Sequence, residues 1–278
     1  MQVVQRYDKA AVQRSFDKAS SSYVAHNQVQ SQVAHHLLQA CRSSVAKCVT
    51  LLDLGCGPGV NTRSLTEISE SYIGLDLSAN MLAMARQRTC AEHLAAHAQF
   101  MHADMDNLPL ANDCVDVIYS SLAIQWSANP RSLVKQLERV LKPGGQAFLA
   151  TLLEGTLEPL RSLRYQIDGM VQGNPQPRFE LWLDALNECS DLAIVDSQIK
   201  TYQVFSPDLP TLLMGIKGVG AGAAARADGE SHSRALSISV YRRLARHYET
   251  YRSPQGLPLN YQVGFMTLKK SNHDYKIS

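Results

Sequence analysis

The stretch VTLLDLGCGPG, Val49 to Gly59, carries the architecture of this chain. Val49 to Leu54 is a short apolar run of the kind a buried strand needs. Gly55, Gly57 and Gly59 then place three unhindered backbone positions in five, so the chain can turn sharply and a ligand can approach the main chain without meeting a Cβ. A helix pattern opens near Val60. Strand, glycine loop and helix together make the opening of a βαβ unit.

On either side the alternation continues. A strand is predicted over Tyr72 to Leu75, a helix over Asn80 to about Arg88, and further strands over Gln99 to His102, Val115 to Ser120 and Gln146 to Leu153. Leu133, Leu137, Val140 and Leu141 mark a helix face between the last two, with Lys142, Pro143, Gly144 and Gly145 read as a basic last turn and its breakers. Such alternation calls for a mostly parallel sheet with helices on both faces, a Rossmann-like α/β fold. Before it, Val29, Val33, Leu37, Leu38 and Cys41 share one helical face, and Phe16, Ala19 and Tyr23 form a looser pattern broken by the serines at 20 to 22, so two helices precede the first strand.

After about residue 154 the rhythm loosens. Gly173, Asn174, Pro175, Gln176 and Pro177 form a loop, Gly218 to Ala227 is rich in Gly and Ala, and Asp184 to Gln203 gives no readable pattern. Tyr261, Val263, Phe265 and Thr267 alternate as in a late strand. The expected organisation is one domain over residues 1–278: N-terminal helices over 1–45, a ligand-binding core over 46–154, a helical insertion over about 155–250, and a last strand and polar tail over 251–278.

Composition narrows the functional classes. The formal net charge of +2, from 27 basic and 25 acidic side chains, gives no field that draws the whole chain to nucleic acid or membrane. Cys41, Cys48, Cys56, Cys90, Cys114 and Cys189 contain no CxxC pair, which argues against a zinc site or a disulfide framework and predicts no metal. Arg6, Lys9, Arg14 and Lys18 interrupt any apolar leader, and nowhere do 18 apolar residues run together, so the expectation is a cytoplasmic protein.

Two acids add specificity to the glycine loop. Asp76 closes the second strand 19 residues past Gly57, where a carboxylate can take both hydroxyls of a ribose. Asp104 follows the third strand, placed to accept from an adenine amino group, and Asp53 ends the first. Singly, each reads equally well as a turn cap or a solvated loop acid; in one frame they define a nucleoside site. A nicotinamide dinucleotide fits less well, because a GxGxxG fingerprint begun at Gly55 requires glycine or alanine where Val60 stands.

DLGCGPG, GLDLS, HADMDNLPL and VLKPGG, in this order across residues 50–150, resemble the class I methyltransferases. The resemblance implies S-adenosylmethionine held by Asp53, Gly55, Cys56, Gly57, Gly59, Asp76, Leu77, Met81, Asp104, Met105 and Ser120. Further stretches are similar to one branch, the malonyl-carrier-protein methyltransferases of biotin synthesis: Phe16 to Tyr23, Ser121 to Trp126, Thr151 to Leu157, Lys217 to Ala221 and Pro258 to Tyr261. That family methylates the free carboxylate of a malonyl thioester on acyl carrier protein. Esterification removes a charge that apolar elongation pockets desolvate only at high cost.

A malonyl half-acid is ionised at neutral pH, so no general base is required and catalysis reduces to positioning and exclusion of water. The candidates for this work are Tyr23, set to orient the acceptor oxygen, and Gln125 and Trp126 after the fourth strand. Each of the three reads also as core. Arg178 and Lys217 are the candidate cations for the malonyl carboxylate, although a long cation is more often solvated. Arg242, Arg243 and Arg246, within a segment from Arg234 to Arg252 holding five arginines and one acid, Glu249, offer a docking face for an acidic carrier. Two alternatives stay open: a small-molecule methyltransferase of the same fold, acting on a quinone-type or carboxylate acceptor, and a non-catalytic relative that binds the cofactor.

Overall fold

The computed structural model describes residues 8–170, 174, 176–188, 191–218 and 236–272. Cys189, Val219 to Ala227, Arg234, the Gly173 and Pro175 of the predicted loop, and the tail beyond residue 272 lie outside them.

Two helices open the chain, α1 (Lys9–His26) and α2 (Gln28–Ser44). Asp8 caps α1, its carboxylate accepting from Ala10 N–H at 2.9 Å. The serines at 20 to 22 do not break α1; the break falls at Asn27, since a serine run costs a helix little when tertiary contacts hold it. α2 buries Val29, Val33, Leu37 and Cys41, the predicted stripe.

The core then alternates as β1 (Cys48–Leu54), α3 (Thr62–Thr66), β2 (Ser69–Asp76), α4 (Ala79–Ala91), β3 (Ala98–His102), β4 (Val115–Ser121), α5 (Pro130–Val140) and β5 (Leu141–Leu152). The rest runs α6 (Leu160–Asp168), α7 (Phe179–Asn187), β6 (Leu192–Ser206), α8 (Leu209–Gly218), α9 (Ile238–Tyr248) and β7 (Leu257–Lys270). The seven strands form one sheet in the order β3-β2-β1-β4-β5-β7-β6. β1 to β5 are parallel, β7 runs antiparallel to β5, and β6 antiparallel to β7. Alternation along β1 sends Leu51 into the core under α2 and Leu52 and Leu54 into the core under α5.

Two expectations are corrected. Lys142 to Gly145 do not close α5, which ends at Val140 with Arg139 in its last turn; they already belong to β5, where Lys142 pairs with Asp116 at 2.9 Å. The span 155–250 is not a purely helical insertion, because β6 fills residues 192 to 206 of it. β6 is an edge strand of the sheet, so much of it faces solvent and the unbroken apolar run of a central strand is missing.

The strand order reverses direction between β1 and β4, the switch point at whose carboxyl side open α/β sheets bind ligands. The site lies there.

Candidate functional site

The loop after β1 is held by backbone bonds: the N–H groups of Gly55 and Cys56 both donate to the Leu75 carbonyl, at 2.7 and 3.0 Å. Gly55 sits at φ +77°, and a Cβ there would lie 2.2 Å from Ala123 Cβ, so only glycine brings this loop against the segment after β4. Asp76 at the end of β2 clamps the loop from the other side. Its two oxygens accept from Gly57 N–H at 2.9 Å and Ser78 N–H at 2.8 Å. Burial raises the Asp76 pKa, while hydrogen bonds from Ser78 and Gly57 oppose the rise by favouring the carboxylate.

Above this clamp lies a pocket of about 650 Å³, counting its open mouth. Gly55, Gly57, Leu75, Asp76, Leu77 and Met81 line one side; Ala103, Asp104 and Met105 line a second; Ser121, Leu122, Ala123 and Trp126 line a third. α1 forms the remaining wall with Lys9, Val12, Phe16 and Tyr23. Phe16 meets Trp126 edge to face at 5.4 Å between ring centres, a pairing worth about 1 kcal/mol beyond its burial. Farther along α1, Asp17 accepts from Ser78 Oγ at 2.5 Å, and its carbonyl takes Asn80 Nδ2 at 3.3 Å.

The structure thus brings Tyr23, Gly55, Gly57, Asp76, Leu77, Met81, Asp104, Met105 and Trp126 around one cavity. Burial, then the charges of Asp76 and Asp53, push the Tyr23 phenol up, so it keeps its proton. Five other predicted residues stand behind the wall. Asp53 is buried and accepts from Tyr72 Oη at 2.7 Å; burial pushes its pKa up to about 7 against that hydrogen bond. Cys56 is buried, its thiol pushed far up by burial. Gly59 packs on Ala85 of α4, and Ser120 Oγ donates to the Leu54 carbonyl at 2.7 Å. Gln125 is buried too, its amide donating to the Leu122 carbonyl at 2.8 Å and its Oε1 3.4 Å from Thr151 Oγ1.

Neither nominated cation reaches the cavity wall. Arg178 is 69% exposed beside Glu154 and Glu180, at 3.8 and 3.5 Å, and Lys217 is exposed in the last turn of α8. The wall residues that sequence reasoning missed are Leu75, Ala103 and Ser121 to Ala123, which adjoin nominated residues, and three residues of α1. Lys9, Val12 and Phe16 precede Tyr23 at helical spacing, and that stripe was the available signal. Among the described residues, no three His, Cys, Asp or Glu side chains cluster as metal ligands, and no helix is long and apolar enough to cross a membrane.

The cradle suits a nucleoside with a charged tail. No atom lies within 4 Å of where a Gly57 Cβ would stand, and the Asp76 carboxylate borders the same cavity. The sheet order, the glycine loop and the acids after β2 and β3 define an S-adenosylmethionine-dependent methyltransferase of the Rossmann-like class I fold. A family profile described as "Methyltransferase domain" matches residues 52–149. A solved putative methyltransferase from Bacillus halodurans shares this fold at TM-score 0.62 and 14% identity, over 86% of this chain and 99% of its own.

The similarity continues past the core. The chain is 32% identical over 266 residues to the malonyl-[acyl-carrier protein] O-methyltransferase of Marinomonas sp. (strain MWYL1), covering 95% of each. It is 36% identical over 272 residues to the biotin biosynthesis bifunctional protein BioHC of Cellvibrio japonicus (strain Ueda107), covering 95% of this chain and 50% of that one. The chain belongs to the malonyl-[acyl-carrier protein] O-methyltransferase family.

Proposed function

We propose that this chain transfers the methyl group of S-adenosylmethionine to the free carboxylate of malonyl-acyl carrier protein, forming the methyl ester that primes pimeloyl synthesis for biotin. The observation that carries this reading is the similarity along 95% of the chain to the Marinomonas protein of that name. The chemistry of the pocket supports it. Among the described residues that line it there is no histidine, and the buried phenol of Tyr23 holds its proton. A hydroxyl acceptor is a poor nucleophile until a base takes its proton, whereas a malonyl carboxylate arrives ionised.

S-adenosylmethionine supplies a methyl group activated by its sulfonium. In this reading the residues of the chain bind and orient. Asp76 accepts from the ribose hydroxyls, the Gly55–Gly57 backbone borders the methionine part, and Asp104, Met105, Leu77 and Met81 surround the adenosyl part. Asp53, Cys56, Gly59 and Ser120 act from behind by holding the loop, and Gln125 by bracing the Leu122 turn. Tyr23 donates to the acceptor, and Trp126 with Phe16 keeps water from the transfer path.

Arg242, Arg243 and Arg246 are exposed on α9. Tyr248, at the end of that helix, donates to the Pro258 carbonyl at 2.8 Å. β7 runs antiparallel to β5 with Val263 opposite Leu152, so residues 257–262 extend past the carboxyl end of β5, toward the edge where the pocket lies. In this reading these exposed arginines offer an acidic carrier a docking surface. Because β6 and β7 complete the same sheet as β1 to β5, the chain is taken as one methyltransferase domain. The test is transfer of labelled methyl from the donor to malonyl- and acetyl-carrier protein, followed by intact-mass analysis. One methyl added to the malonyl form alone supports the reading; modification of neither carrier, or of both equally, contradicts it.

A further inference from the structure

A chain of charges runs along the pocket wall, and two of its members, Lys9 and Asp106, have no part in the roles assigned above. Lys9, in the first turn of α1, is the one cation among the described residues that line the pocket. Its ammonium contacts the carboxylates of Asp104 and Asp106, the latter at 2.5 Å. Asp106 is only 15% exposed and reaches further. Ser127 Oγ and, at 2.8 Å, Ala128 N–H donate to its two oxygens, while its own N–H donates to Asp104 at 2.9 Å. Ser127 follows Trp126, on which Phe16 of α1 packs. The contacts close a ring from α1 through Asp106 to the Trp126 turn and back to α1.

We propose that Lys9 is a positioning residue that pins α1 over the methyl-donor pocket and, through Asp106, ties that closure to the turn carrying Trp126. The proposal rests on the pocket being the donor site. Two carboxylates joined by a 2.9 Å backbone bond repel each other unless a cation lies between them, and α1 supplies it. α1 is one wall of the pocket, so the rate at which a bound nucleoside leaves depends on how firmly that wall is held. The pin is ionic and reachable by water, with Lys9 26% and Asp104 38% exposed, so salt weakens it.

The test is the dissociation rate of S-adenosylhomocysteine by stopped flow, at about 0.05 M and about 0.5 M sodium chloride, where screening lengths differ roughly threefold. Wild-type protein releases the ligand several-fold faster at high salt. Lys9→Met releases it about fivefold faster than wild type at low salt and hardly responds to salt, and Lys9→Arg restores both rate and response. Asp106→Asn, which leaves the Lys9–Asp104 pair in place, falls between wild type and Lys9→Met in both rate and salt response. Variants that keep the wild-type rate and salt response, or that lose thermal stability yet keep that response, overturn the proposal. Wild-type protein that binds no S-adenosylhomocysteine removes the donor-site reading instead, a failure visible without any variant.

Discussion

Residues 46–154 and residues 155–250 serve the same sheet under different constraints. In the first region close approach and the loop backbone dictate the residues: Gly55 has no room for a Cβ, and the Asp76 carboxylate is fixed by two backbone N–H groups. In the second, packing dictates only that a residue be apolar and of suitable size, a demand many sequences meet. Motifs therefore concentrate in the first region, and substitutions are expected to separate the two by the kind of damage they do.

The largest effect is expected at Asp76. Asp76→Ala removes the ribose acceptor and frees two N–H groups of the loop, and affinity for S-adenosylhomocysteine falls about 100-fold, near 3 kcal/mol, by calorimetric titration. Gly55→Ala forces a side chain into φ +77° against Ala123 and costs about 2 kcal/mol, read as a drop of several degrees in Tm. In the second region, replacing Arg242, Arg243 and Arg246 together by alanine raises KM for the malonyl carrier several-fold at low salt and leaves kcat unchanged, with the difference shrinking as salt is added.

Asp53 sharpens the comparison through pH. Its pKa is raised in the folded state to about 7, so the folded protein binds a proton there that the unfolded chain gives up near the ordinary carboxylate value. This burden on stability is absent at low pH and grows as pH rises through that window toward 7. Asp53→Asn is therefore expected to gain Tm relative to wild type at pH 8 and to lose that gain near pH 4, in paired melting curves. The smallest effect belongs to Arg178→Ala, whose side chain pairs with two exposed acids among the described residues; kcat and KM stay within about twofold of wild type. A large rise in its KM would move carboxylate recognition into the second region and break the comparison.

The same contrast explains what could be read in advance. β1, β2, β4 and β5 were legible because buried parallel strands are apolar runs and their turns need glycine, as at Gly55, or an acid, as at Asp76, while the short edge strand β3 was placed by the alternation around it. β6 was not, because its sequence mixes Asp196, Ser197, Gln198, Lys200 and Thr201 with Ile194, Ile199 and Val204, as an edge strand half in water can. Of the pocket, the floor was legible and the roof only in part. Tyr23 stood out as a phenol, but Lys9, Val12 and Phe16 sit on a helix of weak amphipathic contrast, since its inner face lines the cavity and not the main core. Arg178 and Lys217 were singled out by charge alone, and charge without burial places a side chain in solvent.

The claim that joins these observations is that one cavity, under α1 and over the carboxyl ends of β1 to β4, holds the methyl donor. The most direct measurement is a crystal structure of the protein grown with S-adenosylhomocysteine. The account predicts the nucleoside in that cavity, its ribose hydroxyls hydrogen-bonded to the Asp76 carboxylate and α1 closed above it. A nucleoside bound elsewhere, or one in the cavity with its ribose beyond hydrogen-bond reach of Asp76, would contradict it.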